Sequence, residues 1–339
     1  MPLLKTIDEL KGYVAVAMPQ IMPAIALELA EAEVQLIAPV LGPALLTWLQ
    51  AEYDAAGFDR LGASLAAQLL RAVQAPLARL AIVNGVVTHQ LTLDATGVHI
   101  MSTDTSKTAF QWQTNQYQAL LQRRGLANLD ALVQWLEAHA DASPELRAWA
   151  ASATGQRHRR ELFTCTADFQ QYENISASRA VFEALGPVRR RLERFELGPV
   201  LGEELLQELR EQVRTRALTS ENENLLRTYV YPALASLTIA HAVPELGLAL
   251  NGEGIDLTIA RQDDSNSKEA DAGLDQLLRS KASVALLAGA RYLRQLTSYL
   301  DRTASATRFA TYFRSPTYTA PGQPTPVVNT LTSKAYKFC

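Results

Sequence analysis

The sequence predicts a mainly α-helical (α+β) fold made by tandem duplication, with one β-hairpin in each helical unit and an extended C-terminal arm. The principal observation is a phrase that occurs twice without a gap, Pro-Val-Leu-Gly-x-x-Leu-Leu-x-x-Leu, over residues 39–49 and 199–209. In both copies the leucines after the glycine are spaced i, i+1 and i+4, which places them on one face of a helix. Each copy therefore predicts two helices joined at a glycine.

Two further landmarks recur in the same order. Residues 69–76 begin Leu-Leu-Arg and end in proline, and residues 225–232 repeat this pattern. Residues 91–100 and 248–257 alternate in polarity around a short polar turn, which is typical of a β-hairpin. Since the three landmarks keep one order, we expect four parts. These are a first helical repeat at 1–140, a linker at 141–174, a second helical repeat at 175–301 and an arm at 302–339.

Four glycines are predicted to form structural turns. Gly42 and Gly202 suit the left-handed position that ends a helix, and we expect a positive φ at both. Gly97 and Gly254 stand at equivalent positions in the two predicted hairpins. In both repeats a glutamate precedes the corner glycine by nine positions, at Glu33 and Glu193.

The arm has neither a helical nor a strand period, and it contains basic residues, aromatic residues and prolines but no acid. The rest of the chain carries an excess of acids, since the whole has 32 basic and 35 acidic residues. We expect the arm to leave its own subunit and to contact an acidic surface of another chain, either a neighbouring copy or the portal. The rival hypothesis is that the arm binds packaged DNA. The predicted contact residues are Arg302, Arg308, Tyr312, Phe313, Arg314, Tyr318, Lys334, Tyr336, Lys337 and Phe338.

The composition, 48% hydrophobic and 20% charged residues, is typical of a globular protein. Cys165 and Cys339 are the two cysteines, too few for a disulfide framework, so a reducing compartment is expected. The N-terminus carries acids where a signal peptide would be apolar. The longest apolar stretch, residues 36–49, is interrupted by two prolines and a glycine, so no membrane span is expected.

No motif in the sequence predicts catalysis, a cofactor or a metal site. His158 precedes Cys165 among arginines that could stabilise a thiolate, but neither a nucleophile elbow nor an orienting group accompanies them. The histidines lack metal-ligand spacing, and the acidic run at 263–269 lacks the central glycine and final glutamate of a calcium loop. The basic cluster Arg189–Arg191 is interpreted as a solvated helix face. The prediction is therefore a protein that is not an enzyme and needs no cofactor.

A family resemblance rests on several of these segments. The relevant patterns are Leu10-Lys11-x-Tyr13-Val14, Ile37-x-Pro39-x-Leu41-Gly42, the leucine-rich run of residues 69–78, the hairpin ending Gly97-Val98 and the closing residues 329–338. Together they resemble a family of phage and prophage proteins described as a domain of unknown function and similar to head–tail connector (adaptor) proteins. The resemblance extends over residues 7–338.

The resemblance implies a structural virion protein, a neck adaptor that joins the portal to tail components. Its implied partners are other copies in a ring, expected to be a dodecamer matching the portal, then the portal protein and further neck or tail proteins. Contact with DNA is expected to be at most nonspecific, in the lumen, with no membrane contact. The implied location is the head–tail interface of the virion, after assembly in the host cytoplasm.

The alternative is a soluble enzyme or a regulatory binding module whose active residues carry no recognisable motif. Size in concentrated solution discriminates between the two hypotheses. A connector forms rings or binds the portal, whereas an enzyme is expected to be a monomer or a dimer.

Overall fold

The computed structural model describes residues 2–15, 21–56, 62–94, 97–100, 110–157, 159–246, 248–251, 254–257 and 267–322. Most of these residues are helical. The first helices are α1 (Ile7–Lys11), α2 (Ile21–Ala24), α3 (Ala26–Ala32), α4 (Ala38–Ala56), α5 (Leu65–Gln90), α6 (Gln111–Ala138), α7 (Pro144–Ala151), α8 (Ala153–Arg157) and α9 (Thr166–Gln170). The others are α10 (Arg179–Ala184), α11 (Gly186–Leu192), α12 (Gly198–Leu201), α13 (Glu203–Thr215), α14 (Ser220–Leu225), α15 (Tyr231–Leu246), α16 (Ser267–Thr303) and α17 (Ala310–Phe313).

Several helices begin at capping residues that are visible in the sequence. Thr6 and Glu9 form a reciprocal capping box at the start of α1. Ser143 caps α7, whose first residue is a proline, and Thr219 caps α14 through the amide of Asn222. These caps satisfy amides that have no partner within the helix, so they fix where each helix starts.

The described residues include two antiparallel strand pairs. β1 (Leu91–Asp94) pairs with β2 (Gly97–Ile100), and β3 (Leu248–Asn251) pairs with β4 (Gly254–Leu257). Gly97 and Gly254 are the first residues of β2 and β4 and pair with the last residues of β1 and β3. Isolated two-stranded pairs of this length do not form a sheet layer on which helices could pack. The predicted α+β class is therefore wrong: the fold is helical.

The order of elements recurs as the duplication predicts. A seven-residue helix (α3, α11) runs into a five-residue π-helical segment, Glu33–Ile37 in one copy and Glu193–Leu197 in the other. The corner glycine follows, and then another helix. Each copy continues with a long helical stretch, a strand pair and a second long helix, α6 or α16. A third π-helical segment, Leu226–Val230, joins α14 to α15.

Both copies pack their two long helices together at a glycine. A Cβ added at Gly125 of α6 would lie 2.6 Å from Leu80 Cγ of α5, and a Cβ added at Gly289 of α16 would lie 2.6 Å from Leu237 Cγ of α15. The same glycine–leucine contact therefore occurs in each repeat. It makes Gly125 of α6 and Gly289 of α16 equivalent positions.

The chain divides into two compact units. Unit 1 comprises Met1–Gly186 and Leu246–Asp264, and unit 2 comprises Pro187–Glu245 and Ser265–Cys339. This division differs from the predicted boundaries, because the segment predicted as a linker belongs to unit 1. The second strand pair also belongs to unit 1, where β4 lies against α10.

One stretch, Ala26–Ala55, is long and apolar enough to cross a membrane by length and composition alone. Within it, Gly42 has a non-helical backbone that separates two helices. Leu29, Leu41 and Leu49 of this stretch are buried in the core of unit 1. The stretch therefore contributes side chains to the core of unit 1, and 44% of its apolar window is buried.

Candidate functional site

The corner glycines hold a backbone conformation that is open only to glycine. Gly42 has φ 71° and ψ 165°, and Gly202 has φ 74° and ψ 147°. The predicted positive φ is confirmed at both positions. The predicted left-handed helix-ending position is wrong, because ψ is extended and this combination is accessible almost exclusively to residues without a Cβ.

Each corner is covered by a later segment of its own unit. A Cβ at Gly42 would lie 2.9 Å from Thr154 Oγ1, and a Cβ at Gly202 would lie 3.3 Å from Ser315 Oγ. In unit 1 the indole of Trp149 also donates a 2.9 Å hydrogen bond to the carbonyl oxygen of Val40. The corners are therefore packed sites where two segments meet at van der Waals distance.

The two covering segments share a pattern that sequence reasoning missed, aromatic-x-x-Ser-x-Thr, at residues 149–154 and 312–317. The Ser152 hydroxyl donates to the Trp149 carbonyl over 2.6 Å, and the Ser315 hydroxyl donates to the Tyr312 carbonyl over 2.7 Å. The serine amide donates to the same carbonyl in both copies, over 2.9 Å. Part of the predicted linker and part of the predicted arm are therefore the same closing segment of the repeat.

The prediction of an extended arm is wrong for residues 302–322. Tyr312 is fully buried in unit 2 and donates to the Asp301 carboxylate over 2.7 Å. Burial, and then this hydrogen bond, raise the pKa of Tyr312 above its ordinary value. Thr311 donates to Glu208 over 2.7 Å, and Arg308 pairs with Glu221 over 3.3 Å. The segment stays on its own chain because Tyr312 is buried there and because acidic residues of the same unit pair with Tyr312 and Arg308.

The remaining predicted arm residues lie in different places. Phe313 is partly exposed and packs on Tyr318, with ring centroids 4.8 Å apart. Arg314 is exposed at the end of α17, and Arg302 is exposed on α16. Lys334, Tyr336, Lys337 and Phe338 lie outside the described residues.

The glutamates before the corners are buried and hydrogen-bonded. Glu33 accepts from the Leu3 amide over 2.6 Å and from Gln50 over 3.1 Å, and burial raises the pKa of its carboxyl. Glu193 accepts from both Nε and a terminal nitrogen of Arg210, over 3.2 and 3.1 Å. Gln50 and Arg210 are equivalent positions of the repeat. A buried glutamate at the start of the π-helical segment is thus tied to the helix after the corner in each copy, which stabilises the corner.

The residues that the sequence singled out for possible chemistry are Cys165, His158 and the arginines at 189–191. Burial raises the pKa of the Cys165 thiol to about 12, with the nearby Asp168 carboxylate adding to the effect, so the thiol stays protonated near neutral pH. His158 lies outside the described residues. Arg189 is buried rather than solvated, which corrects the interpretation at that residue, whereas Arg190 and Arg191 are exposed as the interpretation expects. Among the residues that the structure describes, no group of three or more metal-ligating side chains occurs.

An arginine-lined groove lies on the exposed side of α16. Its arginines, Arg291, Arg294 and Arg302, stand three, eight or eleven positions apart and share one helix face with Ser298. One cavity of about 600 Å³ is lined by Arg291, Arg294, Ser298, Arg302, Tyr229 and Tyr292 among others. A second, of about 540 Å³, adds Thr297, Asp301 and residues 319–322. We call this surface the arginine face.

The same side of α16 is apolar nearer its N-terminus. Leu277, Val284 and Leu287 are 68%, 65% and 71% exposed. Their spacing places them in line with the arginine face. We call these three residues the apolar face. One helix side therefore presents aliphatic side chains followed by three guanidinium groups, an arrangement suited to binding a protein partner with apolar and acidic groups.

Comparison with known families also divides the chain into two copies of one unit. The family of unknown function DUF6712 matches residues 37–175 and 197–322. Both matches begin at the end of a π-helical segment and include the corner, the long helices and the closing segment. No curated protein and no solved structure matches the chain. Because the matched residues make up well over half of the chain, the protein belongs to the family of unknown function DUF6712.

Proposed function

We propose that this chain is a structural assembly protein, the head–tail connector (neck adaptor) of a tailed phage or prophage-derived particle. In this role copies of the chain form a ring that joins the portal protein to further neck or tail proteins. The observation that carries the proposal is the outer side of α16, where the apolar face and the arginine face form one continuous surface.

The apolar face favours a binding role because it exposes large aliphatic side chains that a monomer would ordinarily bury. Each of the three side chains is about two-thirds exposed. Burial stabilises by roughly 25 cal/mol per Å² of apolar area, so covering three such side chains would contribute several kcal/mol to association. A contiguous exposed apolar surface bordered by charge marks a protein interaction site more often than a solvated face.

The duplication also supports an assembly role. A chain with two family units has each surface of the unit twice, once in each unit. The two equivalent surfaces differ in sequence, so they can bind different partner proteins. The corners are stiff, because buried glutamates, close packing and closing segments hold them. Stiff repeated units of this kind suit a closed ring, in which every subunit must hold one angle to the next. The resemblance to connector proteins supports a phage or prophage-derived particle as the setting of such a ring.

The test is to image the purified full-length chain by negative-stain electron microscopy, alone and after mixing with the portal protein of the same phage or prophage. We expect rings, or chain bound to portal. The double variant Val284→Glu/Leu287→Glu should abolish both, since two carboxylates cannot be buried there without partners.

The control is Leu27→Glu, which places one carboxylate at another exposed leucine, in the first turn of α3. A carboxylate there is favourable to the helix, so this variant should still assemble. If the wild-type chain neither forms rings nor binds portal, the connector role is wrong.

A further inference from the structure

We infer that the arginine face of α16 is the docking surface for a second copy of this chain, which contacts it through carboxylates. The inference rests on the proposed ring and assigns the surface on which one copy meets the next. Its evidence is the equivalent face of α6 in unit 1, which the chain itself covers.

In unit 1 the face of α6 is closed by an ion pair. Asp130 is only 8% exposed, and its Oδ1 accepts hydrogen bonds from Arg179 and from Thr166, each over 3.0 Å. Arg179 also pairs with Glu183 over 2.9 Å. Thr166 lies on α9 and Arg179 begins α10, the segment that leads into the second repeat. The start of the next repeat is thus what covers α6.

Alignment of the two helices places Arg294 where α6 has Asp130. Each lies five positions after the glycine of the helix contact, Gly289 or Gly125. Seven positions further along, both helices carry an acid that holds a later segment. Glu137 accepts from Arg159 over 2.7 Å, and Asp301 accepts from the Thr319 amide over 3.1 Å. The two helices are therefore in the same register, and the charge at the docking position is reversed.

The position at Arg294 is open in unit 2. Its side chain is exposed and lines both cavities of the arginine face. Within the described ranges no carboxylate pairs with Arg294, and Asp301 is occupied by Tyr312 and Thr319. By analogy with α6, this face should be covered by the start of another family unit. A second copy of the chain supplies one.

Charge favours a second copy as the occupant. Residues 276–302 contain five basic residues and one acid, a net charge of +4, so the rest of a chain with net charge −3 carries −7. The surface of a neighbouring copy is therefore acidic overall. The chain's own residues 323–339 contain two lysines and no acid, so their side chains cannot neutralise the arginines. Nucleic acid would pair with the arginines but leave the apolar face uncovered.

The contact is heterologous, because α16 of one copy meets a different surface of the next. Such contacts generate closed rings when the rotation between copies closes, and filaments when it does not. A positive face meeting an acidic one also speeds encounter and makes association sensitive to salt.

The experiment is sedimentation velocity on the full-length chain over a concentration series at low and high salt. Wild type should associate, and more weakly at high salt. Arg294→Glu should raise the midpoint concentration for association about tenfold or more, since it replaces an attractive charge pair by a repulsive one. Arg294→Lys keeps the charge and should associate nearly as wild type.

The matched control is Arg147→Glu, the same charge change at an exposed arginine on α7 of unit 1. It should leave the midpoint concentration for association unchanged, and thermal unfolding of every variant should match wild type.

A labelled mixed-sequence single-stranded oligonucleotide provides the competing ligand. The inference is overturned if wild type stays monomeric or if Arg294→Glu associates as wild type. It is also overturned if Arg294→Glu loses oligonucleotide binding without any change in association.

These outcomes separate the inference from the connector role. If Arg294→Glu still forms rings in the electron microscope, the arginine face is not the contact between copies and the connector role stands. If wild type forms no rings but binds portal, the second copy is the wrong occupant while the neck location is kept.

Discussion

At Gly42 and Gly202 the backbone conformation leaves no room for a side chain. The positive φ with extended ψ is strained for any residue that has a Cβ, at a cost of about 1–3 kcal/mol. A Cβ would in addition meet Thr154 or Ser315 of the closing segment. Two independent penalties therefore act on the same atom.

We predict that Gly42→Ala lowers the free energy of unfolding by about 2–4 kcal/mol, combining backbone strain with overpacking. Gly62→Ala is the control, because Gly62 also has positive φ but a Cβ there would have no neighbour within 4 Å. It should cost about 1–2 kcal/mol, the backbone term alone. Urea titrations followed by circular dichroism measure both. Equal losses for the two variants would show that contact with Thr154 costs nothing.

At the scale of elements, the contact between the long helices sets the geometry of each repeat. Gly125 and Gly289 let α5 approach α6, and α15 approach α16, closely enough for a leucine to lie over the glycine. Alanine is ordinarily favoured over glycine inside a helix by about 1 kcal/mol. The close approach should reverse that preference here.

We predict that Gly289→Ala destabilises unit 2 by about 1–3 kcal/mol, because the added methyl overlaps Leu237. Adding Leu237→Ala should recover part of the Gly289→Ala loss in a double-mutant cycle, since it removes the overlapping atoms. Gly198→Ala is the control, as its Cβ would be in ordinary contact 3.9 Å from Leu206. A stabilising effect of Gly289→Ala would mean that the helices separate freely.

At the scale of the whole molecule, the closing segment decides where unit 2 ends. Residues 302–322 contribute Phe309 and Tyr312 to the core and hold Glu208 and Asp301 through hydrogen bonds. The family match ends at the same residue, 322. The segment is therefore part of the fold rather than a free assembly element.

We predict that a chain truncated after Asp301 loses at least about 3 kcal/mol of stability in unit 2, the usual cost of deleting a buried aromatic side chain. A chain truncated after Gly322 keeps all of these contacts and is the comparison. Urea unfolding and limited proteolysis report the difference. If both truncated chains unfold at the same urea concentration, the closing segment contributes nothing to the core.

What the sequence alone determined depends on short-range chemistry. The spacing of leucines, the corner glycines and the capping residues act within a few positions of the chain, so helices and corners were predictable, and so was their duplication. Even there, the value of ψ at Gly42 was not predictable, because it depends on which residues pack on the corner.

Only the tertiary structure decided what happens to segments that lack a period of their own. The four residues of α17 show no helical pattern, so residues 302–322 were predicted as an arm, although Tyr312 fills a buried site of unit 2. Arg189 was interpreted as solvated because charge alone does not predict burial. The exposure of Arg294, against the burial of its counterpart Asp130, follows from which segment covers each helix. The segment that packs on each helix is distant from it in the sequence, so the residues next to Arg294 and Asp130 in the chain do not determine whether these side chains are buried.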